Sequence, residues 1–349
     1  MMENCPPLSR RFLMKAPLQF RWESCAVVDN PEKDYLVRVD VCGLCRSDLH
    51  AAADWAQDWS EEGHEFAGTI VAARRSDGRF SVGQRVAIRN AAPCLKCPPC
   101  QSARPRECRN LIVNKQGYRD YSDCDERSLV DAQGLDDELL ALVEPANVAL
   151  DLMDAAQFNR SDRVLVLGSG TLGFLASYLS AVFFRDVPRL VVGRRPAQVL
   201  EASLGIPECI SIEDASRATV ENRLGGLPTV VLVTTPPATL SLALDLCAPG
   251  GRILTLGLDR QDSCLAQVNV QTLIFKRLSL KGVFAVPNLF FEEAVATLRA
   301  HGGPVRSLIR HKIHRDELES YFRAWHARGC FDGKAVLLRS VQEIGADIR

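Results

Sequence analysis

The segment 163–182, "RVLVLGSGTLGFLASYLSAV", restricts the fold of this chain more than any other stretch. An apolar run, Val164–Leu167, enters a turn containing Gly168, Gly170 and Gly173, and a helix-like apolar segment follows. The GxGxxG pattern alone is weak, because glycine turns arise for many reasons. Between a strand and a helix it reads as a dinucleotide-binding turn. The first glycine permits the tight turn, the second admits the pyrophosphate to the backbone, and the third lets helix and strand pack closely. Thr171 and Leu172 open the helix, whose N-terminal N–H groups would face the phosphates.

Further runs of the buried kind follow: "RLVVGRR", "TVVLVTT" and "GRILTLGL", with helix-like "RPAQVLEASLG" and "PATLSLALDLCAPGG" between them. Strands alternating with helices predict a parallel sheet covered on both faces. Before it, "YLVRVDV" alternates apolar and polar residues with the period of a half-buried strand. The segments "EFAGTIVAA", "RVAI" and "RSLVDA" are strand-like as well, so the first part of the chain reads as mainly β. After the sheet come two amphipathic helices, "NLFFEEAVATLRAHG" and "HRDELESYFRAWHARG", and a last strand, "KAVLLR". The predicted fold class is α/β: a β-rich domain over 1–147, a doubly wound parallel-sheet domain over 148–285, and a closing segment over 286–349.

The end of "RLVVGRR" bears on the choice of dinucleotide. NAD-binding proteins place a carboxylate there for the ribose 2′-hydroxyl. This chain has Gly193, Arg194 and Arg195 instead. Two guanidinium groups suit a 2′-phosphate, so NADP(H) is expected over NAD(H).

Four of the thirteen cysteines, Cys94, Cys97, Cys100 and Cys108, fall in "PCLKCPPCQSARPREC". That spacing fits tetrahedral thiolate zinc with no open position, hence a structural ion bracing a loop. A catalytic ion needs three protein ligands and a vacancy. The residues for one lie in "VCGLCRSDLH" and "EEGHEFAG", notably Cys45, His64 and Glu65.

Taken together, "GLCRSDLH", "GHEFAG", "VGQRVAI", the "CLKCPPC" loop, "VEPANVAL", "VLVLGSGTLG" and "GKAVLL" resemble the zinc-dependent medium-chain alcohol and polyol dehydrogenases. The resemblance implies a GroES-like catalytic domain, a Rossmann domain, and a chain end that returns to the first domain, with the active site in the cleft between the two. It implies that Cys45 and His64 hold a catalytic zinc, with Glu65 or Glu144 as third ligand. Glu144 has a second reading, as a carboxylate at a helix N-terminus. By the same resemblance Arg46 contacts the pyrophosphate, Ser47 bonds the substrate oxygen and His50 ends a proton relay. Asp48 would support the loop or accept from His64. Two zinc ions per chain, one catalytic and one structural, and a homodimer or homotetramer complete the expectation.

Some stretches depart from the family pattern. Gln84 replaces the usual Asp, "SDCDERS" replaces a different segment around Cys124 and Glu126, and "AAADWAQDWSEE" replaces a Gly/Pro-rich one. The last reads as a solvated loop, or as aromatic and acidic groups (Trp55, Trp59, Asp54, Asp58, Glu61, Glu62) receiving a polar, amino-bearing substrate.

A formal charge of −1 gives no basic surface for nucleic acid or an anionic membrane. The N-terminal stretch lacks the apolar core of a secretory signal, and residues 172–184 are too short to span a bilayer. A cytoplasmic enzyme is expected, its cysteines being thiols or metal ligands rather than disulfides. The function predicted is interconversion of a secondary alcohol (polyol, sugar, cyclitol or specialised metabolite) and its ketone by hydride transfer. Two other readings stand beside it: a lyase or epimerase that oxidises transiently, and a non-catalytic zinc- and nucleotide-binding relative.

Overall fold

The structure, a computed structural model, describes residues 8–27, 30, 32–75, 77–194, 209–235, 237–257, 265–329 and 333–339. They divide into two compact units. The first comprises the residues up to Glu144, Val286–Gly302 and those from Ile309 on; the second comprises Pro145–Ala285 and Gly303–Leu308. The second unit thus starts at Pro145 rather than 148, and it takes in a short piece of the closing segment.

In the first unit a seven-stranded sheet runs Leu129–Asp131, Arg85–Ile88, Glu65–Ala73, Tyr35–Gly43, Lys334–Leu338, Ile309–Ile313, with Tyr121–Cys124 also paired to Tyr35–Gly43. The alternation in "YLVRVDV" predicts a half-buried strand, but Tyr35–Gly43 is buried almost throughout. It lies inside the sheet, paired with three other strands. Its polar residues satisfy one another there: Arg38 Nε donates to Asp40 at 2.7 Å, and the Thr69 hydroxyl donates to Asp40 at 2.6 Å. Leu8–Lys15, Gln19–Ala26 and Ser60–Glu61 form a second, three-stranded sheet. Phe12, Met14, Phe66, Ile70 and Phe322 belong to the common core. Each such side chain, fully buried, contributes about 1.5–3 kcal/mol.

The closing segment is tied in by polar contacts as well as strand pairing. Asn288 accepts from the Ala91 N–H at 2.9 Å, and its carbonyl accepts from Arg89 Nε at 3.1 Å.

The second unit is a six-stranded parallel sheet. Its order is Cys209–Ser211, Arg189–Gly193, Val164–Leu167, Val230–Val233, Arg252–Thr255, Ser279–Gly282. The earliest strand lies inside the sheet and the chain winds outward in both directions, the doubly wound order of dinucleotide-binding folds. Val164–Leu167 and Val230–Val233 are buried throughout, as their unbroken apolar runs require. The helix-like "RPAQVLEASLG" lies outside the described residues, and Arg195 with it. Among the described residues no helix is long and apolar enough to cross a membrane.

Candidate active site and metal centres

The glycine turn follows directly from sterics. Gly168 has φ +131°, and a Cβ there would come within 2.3 Å of the Thr234 hydroxyl. A Cβ at position 173 would sit 1.8 Å from the Gly168 carbonyl oxygen, so strand and helix approach as closely as backbones allow. At Gly170 an added Cβ meets nothing within 4 Å. Gly170 is also the N-cap of helix Thr171–Phe183. The turn is therefore filled behind and open in front, a cradle suited to a diphosphate at a helix N-terminus. At the end of the next strand a Cβ on Gly193 would meet the Ser169 side chain at 2.0 Å, and Arg194 beyond it is exposed.

The four loop thiols come together: their sulfurs all lie within 4.8 Å of one another. Individual separations are 3.5 Å for Cys97–Cys100, 3.9 Å for Cys97–Cys108 and 4.0 Å for Cys94–Cys100. A tetrahedron with Zn–S of about 2.3 Å has edges of about 3.8 Å, so these side chains fit the ion. Backbone N–H groups converge on the sulfurs, with Cys97 N donating to Cys94 Sγ at 3.3 Å and Cys94 N to Cys108 Sγ at 3.3 Å. The backbone N–H groups of Arg109 and Cys100, donating to the Cys97 sulfur, pull that thiol down to about 6. Cys100 is pushed up to about 12, by burial and then by its bonds to Cys97 and Cys108. Sulfurs packed this closely cannot all ionise unless a cation joins them.

Cys45, His64 and Glu65 form a second group whose ligand atoms all lie within 4.8 Å. Cys45 caps the short helix Arg46–His50, and His64 and Glu65 lie at the start of the strand Glu65–Ala73. Asp48 organises the group from beneath. Its buried carboxylate accepts from the Cys45 N–H at 2.9 Å, the Tyr118 hydroxyl at 2.8 Å and the Gly63 N–H at 3.4 Å. It also lies 3.3 Å from His64 Nδ1. A carboxylate on one ring nitrogen fixes the histidine tautomer and orients the other nitrogen as a ligand. Burial alone would discharge His64, but Asp48 and the Cys45 sulfur outweigh it and hold the ring well above its ordinary pKa. The surroundings that favour a proton there favour a cation equally, and ligation requires the ring to surrender that proton.

Glu65 is also in a buried ion pair with Lys334, from the chain's closing strand. Lys334 binds Oε2. Gly43 makes room for that pair, since a Cβ there would lie 2.3 Å from Glu65 Oε2 and 2.9 Å from Lys334 Cε. Glu144 is outside the three-residue group. It accepts from Asn90 Nδ2 at 3.3 Å, and burial first, then Glu65, pushes its carboxyl up to about 7. It stands in the first turn of helix Val143–Ala156.

Of the other residues singled out in the sequence, Arg46 is exposed, Ser47 half-buried and His50 buried. Gln84 ties its loop, donating to Asp131 at 2.9 Å. The acidic stretch after His50 opens with a π-helical turn, Ala51–Trp55, and ends in a strand, Ser60–Glu61, with the irregular residues 56–59 between them, where Gln57 and Asp58 are exposed. Glu61 pairs with Arg11 and Arg119, Glu62 with Lys115, and Asp58 with Lys15. Sequence reasoning missed Tyr118 and assigned no role to Lys334 or to Gly43.

Comparison with known proteins agrees with this chemistry. The alcohol dehydrogenase GroES-like domain matches residues 31–134, and the zinc-binding dehydrogenase domain matches residues 191–300. This chain belongs to the zinc-dependent medium-chain dehydrogenases/reductases. It is similar to the L-threonine 3-dehydrogenase of Photorhabdus laumondii, at 25% identity over 86% of this chain and 92% of that one. Among solved structures it resembles an alcohol dehydrogenase of Escherichia coli CFT073 complexed with NADH, with TM-score 0.84 and 21% identity. That match covers 96% of this chain and 100% of the other. It also resembles a zinc-binding dehydrogenase of Sinorhizobium meliloti 1021 bound to NADP, with TM-score 0.83, 20% identity and coverage of 96% and 100%. Family membership makes the chain an NAD(P)-dependent oxidoreductase with a GroES-like and a Rossmann domain.

Proposed function

We propose that this dehydrogenase interconverts a secondary alcohol of the polyol, sugar or cyclitol kind and its ketone, with NADP(H) preferred over NAD(H). The observation that carries the reading is the convergence of Cys45, His64 and Glu65 over the buried Asp48. In this reading these three hold a catalytic zinc, with Lys334 on one Glu65 oxygen and the other left for the ion. Glu144, held by Asn90, is the alternative carboxylate. Cys94, Cys97, Cys100 and Cys108 hold the second, structural zinc.

Zinc supplies a Lewis acid toward the substrate oxygen, and the dinucleotide supplies the hydride acceptor or donor. The chain's own residues do the rest. Asp48 keeps His64 in one tautomer. Ser47 accepts the proton from the substrate hydroxyl, and His50 passes it on. The turn Gly168–Gly173 binds the diphosphate, and Arg194 and Arg195 would supply guanidinium groups for a 2′-phosphate. Because Glu61, Glu62 and Asp58 are paired with cations of their own unit, a neutral polyol is favoured over an amino-bearing substrate.

The reading includes assembly with a second copy. Strand Ser279–Gly282 is an edge of its sheet with all four residues exposed, and Val270, Ile274 and Phe275 of the preceding helix are exposed too. An antiparallel copy of that edge would satisfy its backbone groups.

The test is a panel of secondary alcohols and ketones with NADP(H) and NAD(H), read by nicotinamide absorbance. Net reduction of NADP by a neutral polyol supports the reading. Turnover of substrate with no net change in the cofactor would favour a lyase or epimerase instead. Light scattering after gel filtration tests assembly, and a monomer would remove that part.

A further inference from the structure

His50 lies against Trp55: the two rings stack with centroids 5.1 Å apart and planes 29° from parallel. His50 is 6% exposed and Trp55 38%, so the indole covers the imidazole on its outer side. The contact depends on an unusual local backbone. In an α-helix each residue turns about 100°, which puts the fifth residue on about 140° away from the first. Here the chain after His50 widens into the π-helical turn Ala51–Trp55, closed by the Ala56 N–H donating to the Ala51 carbonyl at 2.9 Å. A turn closed by an i→i+5 bond holds more residues than an α-turn and brings the fifth residue back toward the first.

The wide turn is also anchored from outside. The Leu18 N–H donates to the Ala52 carbonyl at 2.7 Å, and the Ala16 N–H donates to the Ala56 carbonyl at 2.8 Å. Both donors belong to the tight connection between strands Leu8–Lys15 and Gln19–Ala26. These backbone bonds near both ends of the turn hold the main chain that carries the indole.

We infer that Trp55 is a positioning residue: through the anchored π turn it holds the His50 ring in the orientation that proton transfer requires. The inference rests on the reading above that His50 takes part in moving the substrate proton. Such transfer needs heavy atoms within about 2.6–3.2 Å, and a ring free to rotate spends little time there. An aromatic stack biases such an orientation by about twofold to tenfold.

The test uses the full chain loaded with metal and dinucleotide, in Trp55→Leu, Trp55→Phe, His50→Gln and the double variant Trp55→Leu/His50→Gln. Trp55→Leu keeps apolar bulk without a π face. It is expected to lower kcat by about five- to tenfold with KM changed less than about twofold, and Trp55→Phe to restore most of the loss. In the His50→Gln background, itself reduced about a hundredfold, Trp55→Leu should have no further effect, because it acts through the missing ring. A second readout needs no turnover. The His50 ring protons, assigned by their loss in His50→Gln, should carry an upfield ring-current shift in proton NMR that disappears in Trp55→Leu. If His50→Gln is slow and Trp55→Leu is as fast as the parent, or costs the same factor in both backgrounds, the inference is wrong while the relay stands. If His50→Gln itself leaves kcat unchanged, the relay reading fails and takes the inference with it.

Discussion

Lys334 and Glu65, 269 residues apart in sequence, form a buried ion pair beside the candidate catalytic ligands. Burial alone would lower the Lys334 pKa, but Glu65, Cys45 and Glu144 outweigh it and keep the ammonium charged. Lys334→Met should leave an uncompensated carboxylate and destabilise the protein by about 3–5 kcal/mol. Adding Glu65→Gln should recover much of that stability, with loss of zinc from the catalytic site. Urea unfolding of the two variants checks this. A single variant as stable as the parent would show that the pair is unimportant to the fold.

Asp48 is the acceptor on which Tyr118, Gly63, Cys45 and His64 converge. Asp48→Asn should weaken zinc binding at the catalytic site by about 10–100-fold, since the carboxylate that orients the histidine is gone. Tyr118→Phe removes one of those hydrogen bonds and should weaken it less. Chelator competition on the purified variants measures both. Equal affinities in Asp48→Asn and the parent would exclude the orienting role.

The same pair sets a pH dependence. Burial pushes the Asp48 carboxyl up, but the charge of His64 and the hydrogen bonds Asp48 accepts bring it below its ordinary 3.8. His64, in turn, is held well above its ordinary 6.5. In the metal-free protein the pair therefore contributes fully between those two ordinary values. Its contribution falls away as pH rises through the raised His64 value, and again as pH drops through the depressed Asp48 value. Zinc must displace the His64 proton, so affinity at this site should climb with pH up to the raised His64 value and level off above it. His64→Gln should abolish the site. Competition titrations across that range, corrected for the chelator's own protonation, should show the slope; a flat profile would contradict it.

Position 173 offers a backbone test of the dinucleotide turn. Gly173→Ala places a methyl group against the Gly168 carbonyl, a clash that no side-chain rotation relieves. Dinucleotide binding, followed by nicotinamide fluorescence, should be lost, with a destabilisation of several kcal/mol, about the upper range for single substitutions. Gly170→Ala, which meets nothing, should fold normally. If Gly173→Ala is as stable as the parent, the turn is not as tight as described.

Replacing Arg194 and Arg195 with Ala should raise the KM for NADP far more than that for NAD, because only the former carries the 2′-phosphate. Steady-state kinetics with both cofactors decides it, and equal effects would remove the preference.

What could be read in the sequence was what lies close along the chain. The thiols from Cys94 to Cys108 share one loop, and Gly168, Gly170 and Gly173 share one turn, so their spacing carried their chemistry. Tyr118 meets Asp48 across 70 residues, and no local pattern marks it. Lys334 sits in a terminal strand whose apolar sequence describes burial but not the carboxylate it would meet. The strand Tyr35–Gly43 read as half-buried because Arg38 and Asp40 interrupt its apolar residues; the contacts of Asp40 with Arg38 and Thr69 are what allow it to be buried. The π turn after His50 was illegible for a related reason. "AAADW" suits an ordinary helix, and the widening is anchored by backbone groups of Ala16 and Leu18, far away in sequence.

The most direct test is metal content and hydride transfer measured together, on the parent and on Cys45→Ser/His64→Ala. The parent should hold two zinc ions per chain and reduce NADP with a secondary alcohol. The double variant should keep its fold and one zinc, on the four loop thiols, and lose turnover. A parent with one zinc, or a double variant that still turns over, would contradict an active site built on Cys45 and His64.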